Sequence, residues 1–205
     1  MSGKKVYEEY VLNTYKEIAE HYDKTRTKPW REVRSFIDSI PEGSILLDAG
    51  CGNGYNAKYA VSKSIYTVSM DIVREMVSIA KSNSAGNFFV QGDIRNMPFR
   101  NNAFHSSISI AVLHHFDIDD ALRAIRELKR VTYGKTLVSV WKRGIALTEK
   151  YTDAEGNALV PWKAGAGELR YYHLYTMEEF RNLFDKAGIK DFTVFENEKN
   201  LFCIY

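Results

Sequence analysis

Ser44-Ile45-Leu46-Leu47-Asp48-Ala49-Gly50-Cys51-Gly52-Asn53-Gly54 decides how this chain is read. The segment 44–49 is an apolar run of buried-strand length. The glycines after it let the backbone turn sharply and pass close to a ligand before the next helix. Alone, such a turn suits a dinucleotide site or a tight turn with no ligand. Outward from it, strands and helices alternate. A helix is predicted over 55–62, a strand over 65–70, a helix over 73–81, and strands over 87–91 and 105–112. An amphipathic helix over 120–131, with Leu122, Ile125, Leu128 and Val131 on one face, precedes a strand over 135–141. This order predicts a parallel sheet covered on both faces. Segments 6–22 and 30–40 read as two preceding helices. Downstream, Gly156, Pro161, Gly165 and Gly167 mark 142–169 as a loop. Thr176 and Glu179 form a capping box, and 190–195 with 200–205 read as a closing hairpin.

A chain of 205 residues corresponds to one domain, and 45% hydrophobic with 26% charged residues is ordinary for a globular protein. Collagen, disordered tails and membrane spans are excluded on these figures, and residues 1–9 hold no apolar leader region. Two cysteines, Cys51 and Cys203, make neither a disulfide framework nor a four-cysteine zinc site, so a reducing compartment is expected. The net charge of +2 hides an asymmetry: segment 24–34 carries +4 and segment 123–143 carries +6, leaving −8 for the rest. Clustered cations suit a phosphate-bearing partner, or simply solvated helix faces.

Three carboxylates sharpen the glycine turn. Asp71 ends the next strand, where it can accept both ribose hydroxyls, and Asp93 ends the third, where it can meet an adenine amino group. Asp48 stands where a pyrophosphate would be repelled but an ammonium or sulfonium would be welcome. S-adenosylmethionine is therefore favoured over NAD.

The order DAGCGNG (48–54), GDIRNMPF (92–99), ISIAVLHHF (108–116) resembles that of class I methyltransferases. Segments IAEHY (18–22), TRTKPW (25–30), the pair His114-His115, VPW (160–162) and RYYHLY (170–175) extend the likeness. Together they look like the eukaryotic tRNA wobble-uridine carboxymethyl methyltransferases. The resemblance spans nearly the whole chain, and the TRTKPW and RYYHLY segments are its distinctive part. It implies an α/β, Rossmann-like single domain over 1–205: a seven-stranded, mostly parallel sheet, helices on both faces and an antiparallel C-terminal hairpin. A helical cap (1–40) and a substrate-side insertion (142–175) are also implied. So is esterification of 5-carboxymethyluridine at the anticodon wobble position, with a small zinc-binding activator subunit as partner. The cofactor would touch Tyr22, Asp48, Gly50, Cys51, Gly52, Asp71, Ile72, Asp93, Ile94 and Ala111. Lys28, Trp30, Trp141, Trp162, Arg170, Tyr171, His173 and Tyr175 would meet the RNA. The link between Trp162 and Arg170 is short, where relatives often carry a long charged insertion. No metal is expected, no membrane, and a cytoplasmic or also nuclear location. A small-molecule methyltransferase and an inactive cofactor-binding regulatory subunit stand as alternatives.

A carboxylate that attacks a sulfonium methyl is already ionised at neutral pH, so the site needs no strong base. It must hold two reactants in attack geometry within a dry pocket. Arg26 is the candidate to hold the carboxylate through its planar fork, against the plainer role of a surface arginine. Of His114 and His115, one is expected to face the acceptor and the other to pack, since neighbours in extended chain point opposite ways. Arg170 to Tyr175 reads either as a base-stacking platform or as a strand with buried rings. Trp141 and Trp162 line the uridine pocket or pack in the core. Strand 87–91 lies at the sheet edge and carries Phe88 and Phe89 without a lysine or proline to blunt it. That edge invites strand addition by the activator, unless a helix or the N-terminal segment covers it.

Overall fold

Leu46 and Leu47, side by side in the first strand, point to opposite faces of a sheet and each joins a separate apolar layer. The computed structural model describes residues 7–83, 88–162 and 168–205. A π-helical stretch, Glu8–Asn13, runs into α1 (Thr14–Thr25), followed by α2 (Arg31–Asp38). Then come β1 (Ile45–Ala49), α3 (Tyr55–Val61), β2 (Tyr66–Asp71), α4 (Arg74–Asn83), β3 (Phe88–Gln91) and β4 (Ser106–Ile110). A 3-10 turn, Leu113–His115, leads to α5 (Ile118–Val131) and β5 (Thr136–Trp141). The chain continues through α6 (Ala146–Glu149), β6 (Asn157–Pro161), β7 (Leu169–His173), α7 (Met177–Lys186), β8 (Thr193–Glu196) and β9 (Asn200–Ile204).

Seven strands form the main sheet in the order β3-β2-β1-β4-β5-β9-β8. The first five are parallel; β9 runs antiparallel to both β5 and β8. The order reverses between β1 and β4, so the crevice beyond their carboxyl ends is the natural ligand site of an open α/β sheet. One layer packs Leu46, Ile108, Leu137 and Phe202 against Val33, Phe36 and Ile37 of α2. The other packs Leu47, Val138 and Leu201 against Leu122, Ile125, Leu128 and Val131 of α5, as the periodicity requires.

The capping box at Thr176 is present, its hydroxyl accepting from the Glu179 N–H while the Glu179 carboxylate accepts from the Thr176 N–H. The region read as loop differs: it holds α6 and a separate two-stranded antiparallel sheet, β6 with β7. The glycines and Pro161 that suggested a loop flank a hairpin whose strands bury Ala158, Val160 and Tyr172; Gly165 and Gly167 lie outside the described residues, as does Asn87. The basic segment on α5 also has internal duties. Lys129 Nζ donates to the Gly188 carbonyl at 2.8 Å. Arg130 donates to Glu127, Met97 O and Phe99 O, tying down the chain after β3. Among the described residues no helix is long and apolar enough to cross a membrane, and no group of His, Cys, Asp or Glu could hold a metal ion.

Candidate active site

The glycine turn closes over the end of β2. Gly50 and Cys51 N–H groups both donate to Met70 O, at 2.7 and 3.0 Å, and Gly52 N–H donates to Asp71 Oδ2 at 2.9 Å. Gly50 has φ +81, and a Cβ there would stand 2.3 Å from Val112 Cγ2, so only glycine fits. Beside it opens a cleft lined by the glycine turn, the ends of β2, β3 and β4, and Tyr7, Val11, Tyr15 and Tyr22 from the N-terminal segment.

Asp48 is fully buried, and neither carboxylate oxygen has a hydrogen-bond partner among the described residues. Burial pushes its carboxyl up to about 7; the nearby Asp71 adds to the rise and Asn56 offsets part of it. Asp71 accepts Gly52 N–H on one oxygen and Val73 N–H on the other, both at 2.9 Å. Each oxygen keeps a further acceptor site for ribose hydroxyls. Asp93 lines the far end of the cleft with Ile94, but Arg95 donates to both its oxygens and also pairs with Asp120. Tyr7 stacks on Phe116 at 5.0 Å, and both rings lie by the Arg95 guanidinium. Ala111 lines the cleft in a left-handed conformation, φ +60, held by its N–H to Ser139 O and Oγ. Asp48 itself does not line the cleft; Asp71 as a ribose-type acceptor and the apolar end around Tyr7 and Phe116 fit S-adenosylmethionine. Ile72 and Tyr22 also line this cleft; Cys51 is buried, with its thiol pushed well up, and contributes only backbone.

His114 and His115 lie on a 3-10 turn, not an extended strand, with ring centroids 4.5 Å apart. His115 lines the cleft. Its Nδ1 donates to Tyr171 O at 2.8 Å and its Nε2 accepts from Tyr15 Oη at 3.0 Å, so its tautomer is set by its neighbours. Burial lowers it to about 4. His114 packs away from the cleft, its Nδ1 accepting the Trp141 N–H at 3.1 Å, and burial keeps it neutral too.

The substrate-side residues separate by strand alternation. Arg170 and Tyr172 face the cleft wall. Tyr172 sits 4.9 Å from both histidine rings and stacks on Trp141 at 4.8 Å. Tyr171 and His173 turn to the other side, where both meet Asn157 Oδ1. Trp162 is buried between His21, Tyr22 and Arg170. Of the expected RNA contacts Tyr175 needs correction, while Trp30 and Trp141 are half-buried with packing partners. Trp30 packs edge-on against Phe202 in the α2 layer. Tyr175 is fully buried against His173 and Phe180, where no base can stack on it. Trp141 serves as packing for Tyr172 and His114. Arg26 and Lys28 are exposed; the Arg26 guanidinium meets Thr25 and lies 5.5 Å from the Tyr22 ring centre.

Sequence reasoning passed over Tyr15, which orients His115, and Asn53, whose amide bridges Asp23 and the Arg26 carbonyl to the glycine turn. The helical spacing of Tyr15 and Tyr22, two turns apart on one face, was the available signal.

The Asp48 carboxyl gives a pH dependence whose sign is fixed. Burial favours the neutral acid and a bound cation favours the carboxylate, so below about 7 binding must expel a proton. S-adenosylmethionine affinity by calorimetry should climb up to about tenfold per pH unit below that value and then level. Asp48→Asn should flatten the profile. A wild-type profile without slope removes Asp48 from the cation site.

Residues 47–137 match a family profile described as a methyltransferase domain. A Schizosaccharomyces pombe protein named tRNA (carboxymethyluridine(34)-5-O)-methyltransferase is 34% identical over 88% of this chain and 88% of its own length. Similarly named relatives from Xenopus tropicalis and Arabidopsis thaliana are longer, and this chain spans 24% and 40% of them. Among solved structures, a Burkholderia thailandensis 1,6-didemethyltoxoflavin-N1-methyltransferase with bound S-adenosylhomocysteine aligns with a TM-score of 0.71 at 16% identity, covering 100% of this chain and 89% of that one. A Haloferax volcanii chain from a complex of the Trm112 methyltransferase activator with a putative methyltransferase aligns with 0.68 at 16%, covering 95% and 96%. Those two likenesses speak for the fold. The fission-yeast match, at that identity along most of both lengths, makes this chain a member of the tRNA (carboxymethyluridine(34)-5-O)-methyltransferase family, with S-adenosylmethionine as cofactor.

Proposed function

We propose that the protein methylates the carboxylate of 5-carboxymethyluridine at the wobble position of tRNA, giving the methyl ester. The observation that carries this reading is the extent of the 34% match. At 88% of the chain, it takes in the glycine turn and the β6–β7 hairpin alike. When bound, S-adenosylmethionine supplies a methyl group on a positively charged sulfur. A carboxylate oxygen forms the new bond to that carbon with its own lone pair, the carbon–sulfur pair stays on sulfur, and no proton moves. The chain's residues fit that economy. An acceptor that is already ionised needs no base, and the ring nitrogens of His115 and Nδ1 of His114 are engaged by their neighbours. Tyr7, Val11, Tyr15 and Tyr22 cover the cleft and exclude water from a step in which charge disappears.

The exposed cations Lys24, Arg26, Lys28, Arg31 and Arg34 surround the chain that Asn53 fastens to the glycine turn. They suit tRNA phosphates better than the internally engaged Lys129 and Arg130. The direct experiment supplies labelled S-adenosylmethionine to tRNA carrying 5-carboxymethyluridine. Label in an ester released by mild alkali is expected. Label that resists alkali favours another acceptor, and binding without transfer favours a regulatory subunit.

For the partner, the exposed edge strand β3 is the proposed dock. Phe88 is 65% exposed on it, while Phe89 is half-buried. A zinc-binding activator adding a strand there would pair the free backbone groups and cover the Phe88 ring. Phe88→Asp should abolish co-purification of the two proteins and leave the circular dichroism of this chain intact; an undisturbed complex places the activator elsewhere.

A further inference from the structure

Arg170 is a buried cation that pairs with no carboxylate among the described residues. It is 7% exposed, its Nε has no hydrogen-bond partner, and among the described residues no acid lies within ion-pair distance. The nearest acid in sequence, Glu168, makes no pair with it. The guanidinium carbon lies 4.6 Å from the Trp162 ring centre and 5.3 Å from that of Tyr172. Those rings satisfy part of a cation's field but accept none of its in-plane hydrogen bonds. Trp162 Nε1 is a second buried donor without an acceptor. A guanidinium cannot shed its proton, so burial leaves it charged and seeking an anion.

Its position ties it to the cleft through two aromatic contacts. Tyr172 carries it to His115, 4.9 Å away, and Trp162 carries it to Tyr22, 6.3 Å away; His115 and Tyr22 both line the cleft. One ring layer therefore separates a donor-only cation from the cofactor cavity. Arg26, by contrast, is exposed to water, where a carboxylate pair is weak.

Resting on the methyl-ester reading above, we propose that Arg170, rather than Arg26, receives the acceptor carboxylate, after side-chain movement of the Trp162–Tyr172 layer opens its fork to the cleft. Its planar donors hold the carboxylate while one oxygen lone pair stays free to attack. Arg170 thereby selects a carboxymethyl group over a neutral side chain on the base.

The test uses the full chain with its activator and two anticodon stem-loop RNAs, one carrying 5-carboxymethyluridine and the other its methyl ester. Wild type should bind the carboxylate RNA about tenfold more tightly than the ester RNA. Arg170→Met, with unchanged melting and cofactor affinity, should bind both equally and lose about 100-fold in kcat/KM. Arg26→Ala should weaken both RNAs by the same factor and keep the preference. Should Arg170→Met not fold, Arg170→Lys decides: a point charge in place of the fork should lower kcat/KM at least about tenfold. Retained preference and rate in a folded Arg170→Met, a wild-type rate in Arg170→Lys, no preference in an active wild type, or loss of the preference in Arg26→Ala each overturns the assignment. If wild type transfers no methyl to the carboxylate RNA, the methyl-ester reading itself fails.

Discussion

Near the end of β1 the Asp48 carboxylate is fully buried, with Asn56 offsetting only part of the cost. Asp48 is enclosed by the glycine turn on one side and the sheet on the other, and its carboxyl rises from 3.8 to about 7. That rise corresponds to a penalty of about 4 kcal/mol on the charged form. The fold retains it because the turn at Gly50 and the crossover from β1 to β4 both converge there. A cation bound within reach of Asp48 would lower that penalty and so couple ligand binding to local stability at this position.

The N-terminal segment completes the cavity. Tyr7, Val11, Tyr15 and Tyr22 come from one helical stretch, and they close a cleft that the sheet alone would leave open. Its docking rests on polar fastenings as well as rings. Tyr15 reaches His115, and the Asn53 and Asn83 amides both meet Asp23. The β6–β7 hairpin packs on the same segment, where Thr14 of α1 donates to the Leu169 carbonyl at 2.9 Å.

The alternation of strands and helices and the capping box were legible because each rests on local periodicity or on a residue type with one use at that position, while the sheet order followed from the family resemblance. The β6–β7 hairpin was not legible: Pro161 and the glycines around it signal loop, and only tertiary burial of Ala158, Val160 and Tyr172 turns the segment into a sheet. Aromatic residues carry no direction in a sequence. Tyr175 therefore looked like an RNA contact, although it fills the core. The histidine pair was half legible. One ring faces the cleft as expected, but a 3-10 turn, not strand alternation, separates their roles. Arginine burial is equally silent in sequence, which is why Arg26 and Arg170 could be told apart only by exposure and partners.

Asp48 is a buried acid whose ionised form burial disfavours and a cationic ligand would favour. Carboxyl-carbon NMR of the labelled protein measures this directly. Asp48 should titrate near 7 in the free protein, and with S-adenosylmethionine bound should remain ionised well below that value. A free-protein titration near the ordinary aspartate value, unmoved by the cofactor, would contradict it.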